Sequence, residues 1–205
     1  QAHKLAMNER LMRTLAHEIR NPLNNISLSL DHFSLPLDNE EEKLALMDIM
    51  KRNCTRINHI ITELLDLTRP LELTFQQHSL QEILDESINL ISDRMNLQKI
   101  SLNRVYPGVV VNIPANKAKL VIAFSNILIN AIEAMESGKG EMEVEITNRP
   151  EKAVVRVTDN GAGIPEEYLT KLFEPFFTLK KNGVGLGLSV SYSIIQSHNA
   201  TIEVK

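Results

Sequence analysis

The first 68 residues contain no glycine and only two prolines, Pro22 and Pro36, which is the composition of long helices. From Leu11 the apolar side chains fall at Leu15, Ile19, Leu23, Ile26 and Leu30, in steps of three and four that put them on one helical face. Pro36 and the run Asp38-Asn39-Glu40-Glu41-Glu42 interrupt this stripe and supply a turn followed by an acidic first helical turn. A second stripe runs through Leu44, Met47, Met50, Ile57, Ile61, Leu64 and Leu65. Two antiparallel helices of this length cannot hide both apolar faces by themselves, so pairing with a second copy into a four-helix bundle is expected.

Arg69-Pro70 ends the second helix, and a linker is expected to about Ser79. Beyond it the texture changes. Residues 80–98 read as an amphipathic helix through Leu80, Ile83, Leu84, Ile88 and Ile91. Short strands are expected at 100–105 and 109–113 around the turn residues Pro107-Gly108, and a helix opened by Pro114 to about Met135. After a turn at Ser137–Gly140, strands are expected over Glu141–Asn148 and Ala153–Thr158. A short helix near 165–172, a loop to about 183, a helix at 184–198 and a final strand at 200–204 follow. The fold class is therefore an all-α helical hairpin followed by an α+β two-layer sandwich, with a mixed sheet and helices on one face. The domains are expected at 1–69 and 80–205, joined by 70–79.

Composition narrows the function. A net charge of -4 supplies no basic stripe for nucleic acid. The single Cys54 excludes an internal disulfide framework and a cysteine zinc site, and suits a reducing cytoplasm. The most apolar segment, Leu120 to Met135, is broken by Ser125, Asn126 and Asn130 and is too short to span a bilayer, so no direct membrane contact is expected of this fragment. Gln1 opens directly into a helical pattern without a signal peptide. The chain thus reads as a piece of a longer protein, whose missing upstream sensor would decide any membrane anchoring.

Four clusters can carry chemistry. The first is A-H-E-I-R-N-P-L at 16–23. At about 100° per residue, His17 lies opposite the Leu15–Ile19–Ile26 stripe and should face solvent. Glu18 can act as the general base that makes its imidazole nucleophilic, and Asn21 lies one turn further along the helix. A lone His-Glu pair is more often an ordinary surface pair; the full run within a hairpin reverses those odds. In the second cluster Asn126, Asn130 and Glu133 share one face of a helix at spacings of four and three. Asparagine is a poor helix former, so two within an apolar helix need a reason beyond capping or a buried polar contact. The third, D-N-G-A-G-I-P at 159–165, follows a strand; alone, any acidic turn with two glycines gives it. The fourth, G-V-G-L-G-L at 183–188, precedes a helix whose N-terminus, with the amides of Gly183, Gly185 and Gly187, can hold phosphates. A dinucleotide fold would need a strand immediately before those glycines and a later acidic ribose ligand in a parallel unit. Neither is present, so that fold is rejected.

The order of these motifs, with F-E-P-F-F-T at 173–178 between the last two, resembles the sensor histidine kinases of two-component systems, over about residues 8–205. The H-E-I-R-N-P-L form, Arg69-Pro70 and N-A-I-E-A-M are most similar to the nitrogen-regulation-like branch. The resemblance implies a dimerisation and phosphotransfer hairpin and a GHKL-type ATP-binding domain. It implies that His17 takes the γ-phosphoryl group of ATP with Glu18 as base, then passes it to an aspartate on a response regulator receiver domain. Asn21 would orient water for removing the regulator's phosphate, adding a phosphatase activity. Asn130, with Asn126 beside it, would ligate magnesium. Asp159 would accept from the adenine amine, with Gly161 and Gly163 allowing close approach of the backbone. Residues 173–178 would open a short mobile lid, with Lys180 and Lys181 near the phosphates. Family members usually continue past 200–204 with a glycine turn and one further strand, and His198-Asn199-Ala200 lacks the glycine common there.

Two other classes compete. A conformational ATPase of the gyrase and heat-shock type uses a glutamate upstream of the metal asparagine to activate water; Asn126 stands at that place and is no base. A non-catalytic scaffold is disfavoured by intact His17, Glu18, Asn130, Asp159 and all the glycines of the pocket.

Overall fold

The computed structural model describes the backbone of residues 2–34, 40–68, 74–180, 183 and 185–205, and side chains within them except at 2–14, 59 and 63–68. The turn expected at 35–39, the Arg69-Pro70 stop, Lys181 and the side chains of Leu11, Leu64 and Leu65 lie outside the described residues. The chain divides into two compact units: residues 1–69 with 175–186, and residues 70–174 with 187–205.

The first unit is built on the helices α1 (Ala2–Phe33) and α2 (Glu40–Thr68), which pack against each other as a hairpin. Three glutamates, Glu40 to Glu42, occupy the first turn of α2, where the helix dipole favours them. Helix α1 runs through Pro22, whose ring is buried. Across the hairpin Asn25 donates to Asn53 at 3.4 Å, and Arg56 pairs with Glu18 at 3.1 Å. The segment 175–186 belongs to this unit because Leu186 and Ile60, both fully buried, form an apolar cluster with Leu15, Ile19 and Phe176.

The second unit holds the sheets and three helices: β1 (Gln76–Ser79), α3 (Leu80–Gln98), β2 (Ser101–Val105), β3 (Asn112–Ala115), α4 (Lys117–Ala134), β4 (Glu141–Asn148), β5 (Ala153–Asp159) and α5 (Gly187–Ser197). Strands β2, β4 and β5 form one sheet in that order, β2 parallel and β5 antiparallel to the central β4; β1 and β3 form an antiparallel pair. Along β4, Met142, Val144 and Ile146 are buried between less buried glutamates, the alternation of a sheet with one covered face. Leu84, Ile88 and Ile91 of α3 and Leu128 and Ile132 of α4 complete the core above them. Ser79 caps α3, its Oγ accepting from the Glu82 amide at 3.3 Å, and Asn116 caps α4 by accepting from Lys119 at 3.1 Å.

Several boundaries differ from expectation. The expected linker to Ser79 contains β1, whose polar residues Gln76 and Gln77 are strand only because β3 supplies the ladder. Pro114 does not open α4; it lies within β3 opposite Gln77, at a short strand where its missing amide is tolerated. The helix expected at 165–172 is a 3₁₀ turn over Glu166–Tyr168, and α5 starts at Gly187 instead of 184. No strand forms at 200–204: the backbone has no ladder there, and the alternating Ile202 and Val204 gain little cover, Ile202 half-buried and Val204 exposed. The missing glycine after α5 is made good by Asn199, which takes the left-handed conformation (φ 53°) while the Ala200 amide reaches back to the Ile195 carbonyl at 3.1 Å.

Candidate active site

In the hairpin unit the helical phase places His17 and Asn21 at the exposed surface of α1, while Ile19 is half-buried on the opposite side. Glu18 is turned toward α2, where its Oε2 accepts from Arg56 Nη2 at 3.1 Å, both side chains about two-thirds buried (27% and 31% exposed). The Arg56 Nε is buried without a hydrogen-bond partner. Sequence reading missed this arginine. Its signal was a cation inside the apolar side of α2, between Asn53 and Ile60 at steps of three and four, where a lone charge needs a partner.

In the second unit, α4 carries Asn126 and Asn130 one turn apart. The Asn126 Nδ2 donates to the Gly187 carbonyl at 3.3 Å, so the asparagine cluster meets the start of α5. The other end of the Asn126 amide is an oxygen, the kind of donor a hard cation takes. Two amide oxygens without an acidic cage fit an ion that keeps waters and phosphate oxygens in its shell. No group of three or more His, Cys, Asp or Glu side chains suited to a metal exists among the described residues. Asn130 and Asn126 are the side chains on this face of α4 that would hold such an ion. Glu133, a turn beyond Asn130, pairs with Arg94 at 3.6 Å.

Asp159 ends β5 exposed, with its Oδ1 accepting from the Gly161 amide at 2.9 Å. Asn160 pins the turn, its Oδ1 accepting from the Glu141 amide and its Nδ2 donating to the Lys139 carbonyl, each at 2.9 Å. Gly161 is required by proximity: a β-carbon there would lie 2.8 Å from both the Cβ and the carbonyl oxygen of Ala134 at the end of α4. The Ala162 amide donates to that same carbonyl at 3.0 Å. The aspartate-glycine cluster is thus seated on the C-terminal end of the helix that carries the two asparagines. Gly163 adopts φ 71° in the following loop.

The glycine cluster is divided between the units. Gly187, the first residue of α5, belongs with α4, whereas Lys180, Gly183 and Gly185 belong with the segment grouped with the hairpin. There the Phe176 amide donates to the Gly185 carbonyl at 2.9 Å. Gly185 has φ 75°, and a β-carbon on it would fall 2.6 Å from backbone atoms of Phe176 and Phe177. Its lack of a side chain is demanded twice, by conformation and by space. Phe176 itself adopts φ 66°, uncommon for an aromatic residue. Thr178 Oγ1 accepts from the Lys180 amide at 3.1 Å and closes a tight turn.

The chain is thus a helical hairpin with an exposed histidine, followed by a sheet-and-helix unit that carries the asparagine and aspartate-glycine clusters. Residues 7–73 match the His Kinase A (phospho-acceptor) domain, and residues 115–205 match the histidine kinase-, DNA gyrase B-, and HSP90-like ATPase family. The chain belongs to the histidine kinases. It is 35% identical over 205 residues to the sensor histidine kinase ZraS of Salmonella typhimurium, covering 98% of this chain and 43% of that protein. It is 31% identical to sporulation kinase C of Bacillus subtilis, covering all of this chain and 47% of that one. The chain thus spans less than half the length of these relatives. Among solved structures, the catalytic domain of histidine kinase ThkA superposes with a TM-score of 0.57 at 30% identity, over 61% of this chain and 82% of that one. ThkA in complex with the response regulator protein TrrA matches 97% of this chain and 57% of that one, with a TM-score of 0.81 at 26% identity. No described helix is long and apolar enough to cross a membrane.

Proposed function

We propose that this chain is the kinase portion of a two-component system, in which His17 is phosphorylated from ATP and passes the phosphoryl group to an aspartate of a response regulator receiver domain. The observation that carries the reading is the exposed His17 beside a partly buried Glu18, in the same chain as a helix α4 whose Asn126 bonds the start of α5 and whose last residue, Ala134, abuts Gly161 of the aspartate-glycine turn. One imidazole nitrogen of His17 forms the N–P bond as the bond from the γ-phosphorus to the bridging oxygen breaks, and ADP departs with that electron pair. Glu18 takes the proton from the other ring nitrogen, which raises the nucleophilicity of the attacking one. Magnesium, when bound, neutralises charge building on the phosphate oxygens. Asn130 and Asn126 orient that end of the nucleotide, Asp159 accepts from the adenine amine, and Gly161 and Gly163 let the backbone approach. Lys180, Lys181, Gly183, Gly185 and Gly187 serve the phosphates.

The hairpin is read as half of a homodimeric four-helix bundle, because Leu23, Leu28 and Ile61 stand 55%, 61% and 41% exposed on a single chain. Asn21, one turn from His17, is the amide that positions water against the aspartyl phosphate, making the enzyme a phosphatase as well. The resemblance of ThkA, solved with a response regulator, supports the choice of partner. The N-P-L and N-A-I-E-A-M forms favour the nitrogen-regulation-like branch. Localisation in the cytoplasm goes with this reading.

Mixing the chain, labelled with γ-phosphate-labelled ATP and magnesium, with a receiver domain tests this function. Label should move to the receiver's aspartate and should never appear there when His17→Gln replaces the native chain. Receiver labelling that persists with His17→Gln would overturn the relay.

A further inference from the structure

Glu18 is the residue that the proposed chemistry asks to serve the imidazole of His17, yet in the structure its carboxylate is engaged elsewhere. It reaches across the hairpin to Arg56 Nη2 at 3.1 Å, inside a region two-thirds removed from solvent. Neighbouring residues of a helix point about 100° apart, so a carboxylate turned inward to α2 is not turned outward to the exposed His17 ring. The pair is also protected. Leu15 and Ile19, on the turn that carries His17 and Glu18, and Ile60, one turn after Arg56, are covered by Phe176 and Leu186 of the segment 175–186. Less water at the pair strengthens the attraction. The buried Arg56 Nε has no hydrogen-bond partner, so the guanidinium does not engage Glu18 through the Nε side of its planar fork.

We infer that Arg56 is a positioning residue for the phosphoacceptor step: it withholds the Glu18 carboxylate from His17, and this carboxylate becomes a base only when the ion pair opens. The inference rests on the proposed role of Glu18. A carboxylate held by the guanidinium is pointed away from the imidazole, so the pair lowers the rate. Other charged groups on the packed elements include Arg20 on α1, Asp48 with Arg52 on α2, and Lys180 on the covering segment. All of them survive replacement of Arg56.

The test is the rate of autophosphorylation of the whole chain with saturating magnesium, as a function of ATP concentration. Arg56→Gln should raise kcat by about fivefold, the factor a partly screened ion pair is worth, with KM for ATP unchanged. Arg56→Lys, with a shorter reach and a single donor group, should fall between wild type and Arg56→Gln. In a Glu18→Gln background, Arg56→Gln should give no increase. A fall or no change in kcat for both Arg56 variants would overturn the inference, as would a rise that persists without Glu18. Failure of the Glu18 role is distinguishable: Glu18→Gln alone would then leave kcat at the wild-type value. If Arg56→Gln does not fold, Arg56→Lys decides, since a rise supports withholding and a fall refutes it.

Discussion

The two units solve the problem of burial differently. The sheet unit closes over its own apolar residues: Leu84, Ile88, Leu128, Ile132, Met142 and Val144 are at most 2% exposed. The hairpin, by contrast, leaves Leu23, Leu28, Leu30, Leu44 and Met47 more than half exposed, and its one small closed cluster is completed by Phe176 and Leu186 from far along the chain. A unit with its own core is stable as a rigid cradle for a nucleotide. A unit whose core is incomplete depends on what it associates with, and its packing can be exchanged. A phosphoacceptor that must meet a pocket, and then a regulator, suits the second kind of construction.

That contrast can be broken most severely in the cradle. Asn130→Asp adds charge and changes the ligand set at the proposed magnesium site, and should reduce magnesium-dependent ATP binding by about two orders of magnitude; titration calorimetry with and without magnesium reads it. Asp159→Asn presents a donor where only an acceptor suits the adenine amine and should weaken binding by about tenfold or more, equally with and without magnesium. Wild-type affinity in both variants would mean that the pocket lies elsewhere.

Changes in the hairpin should act on association and not on nucleotide affinity. Replacing the exposed Leu23 and Ile61 together by glutamate should turn a dimer into a monomer by light scattering, with ATP affinity unaltered. A wild-type monomer would remove the reason given for those exposed side chains. Ile60→Ala should lower the melting stability of the hairpin by about 2–4 kcal/mol, since a fully buried isoleucine leaves a cavity. An unchanged transition would show that the cluster with Leu186 and Phe176 contributes little. The smallest effect concerns Asn21→Ala: autophosphorylation should stay near normal while dephosphorylation of the receiver slows. Equal loss of both would assign Asn21 to helix geometry ahead of Pro22.

What could be read in the sequence follows the same division. Helical phase is a local property, so the exposure of His17 and the burial of Ile83, Ile88 and Ile91 were legible from spacing alone. The demand for glycine at 161 and 185 was legible as composition, although its causes, Ala134 and the backbone of Phe176–Phe177, are tertiary. Strand β1 was not legible, because Gln76 and Gln77 have no apolar alternation and owe their conformation to β3. Conversely, Ile202 and Val204 alternate correctly and form no strand, because alternation does not supply a ladder. The Glu18–Arg56 pair spans 38 residues, and the cluster of Leu186 with Ile60 spans more, so neither could emerge from a local window.

The central claim is that the exposed imidazole of His17 takes the γ-phosphoryl group of ATP bound by the same chain. Incubation of the chain with γ-labelled ATP and magnesium, followed by parallel acid and base treatment of the labelled protein, tests it most directly. The account predicts label that is lost in acid, survives base and is absent from His17→Gln, although that variant still binds ATP. Label that survives acid, or that appears undiminished in His17→Gln, would contradict it.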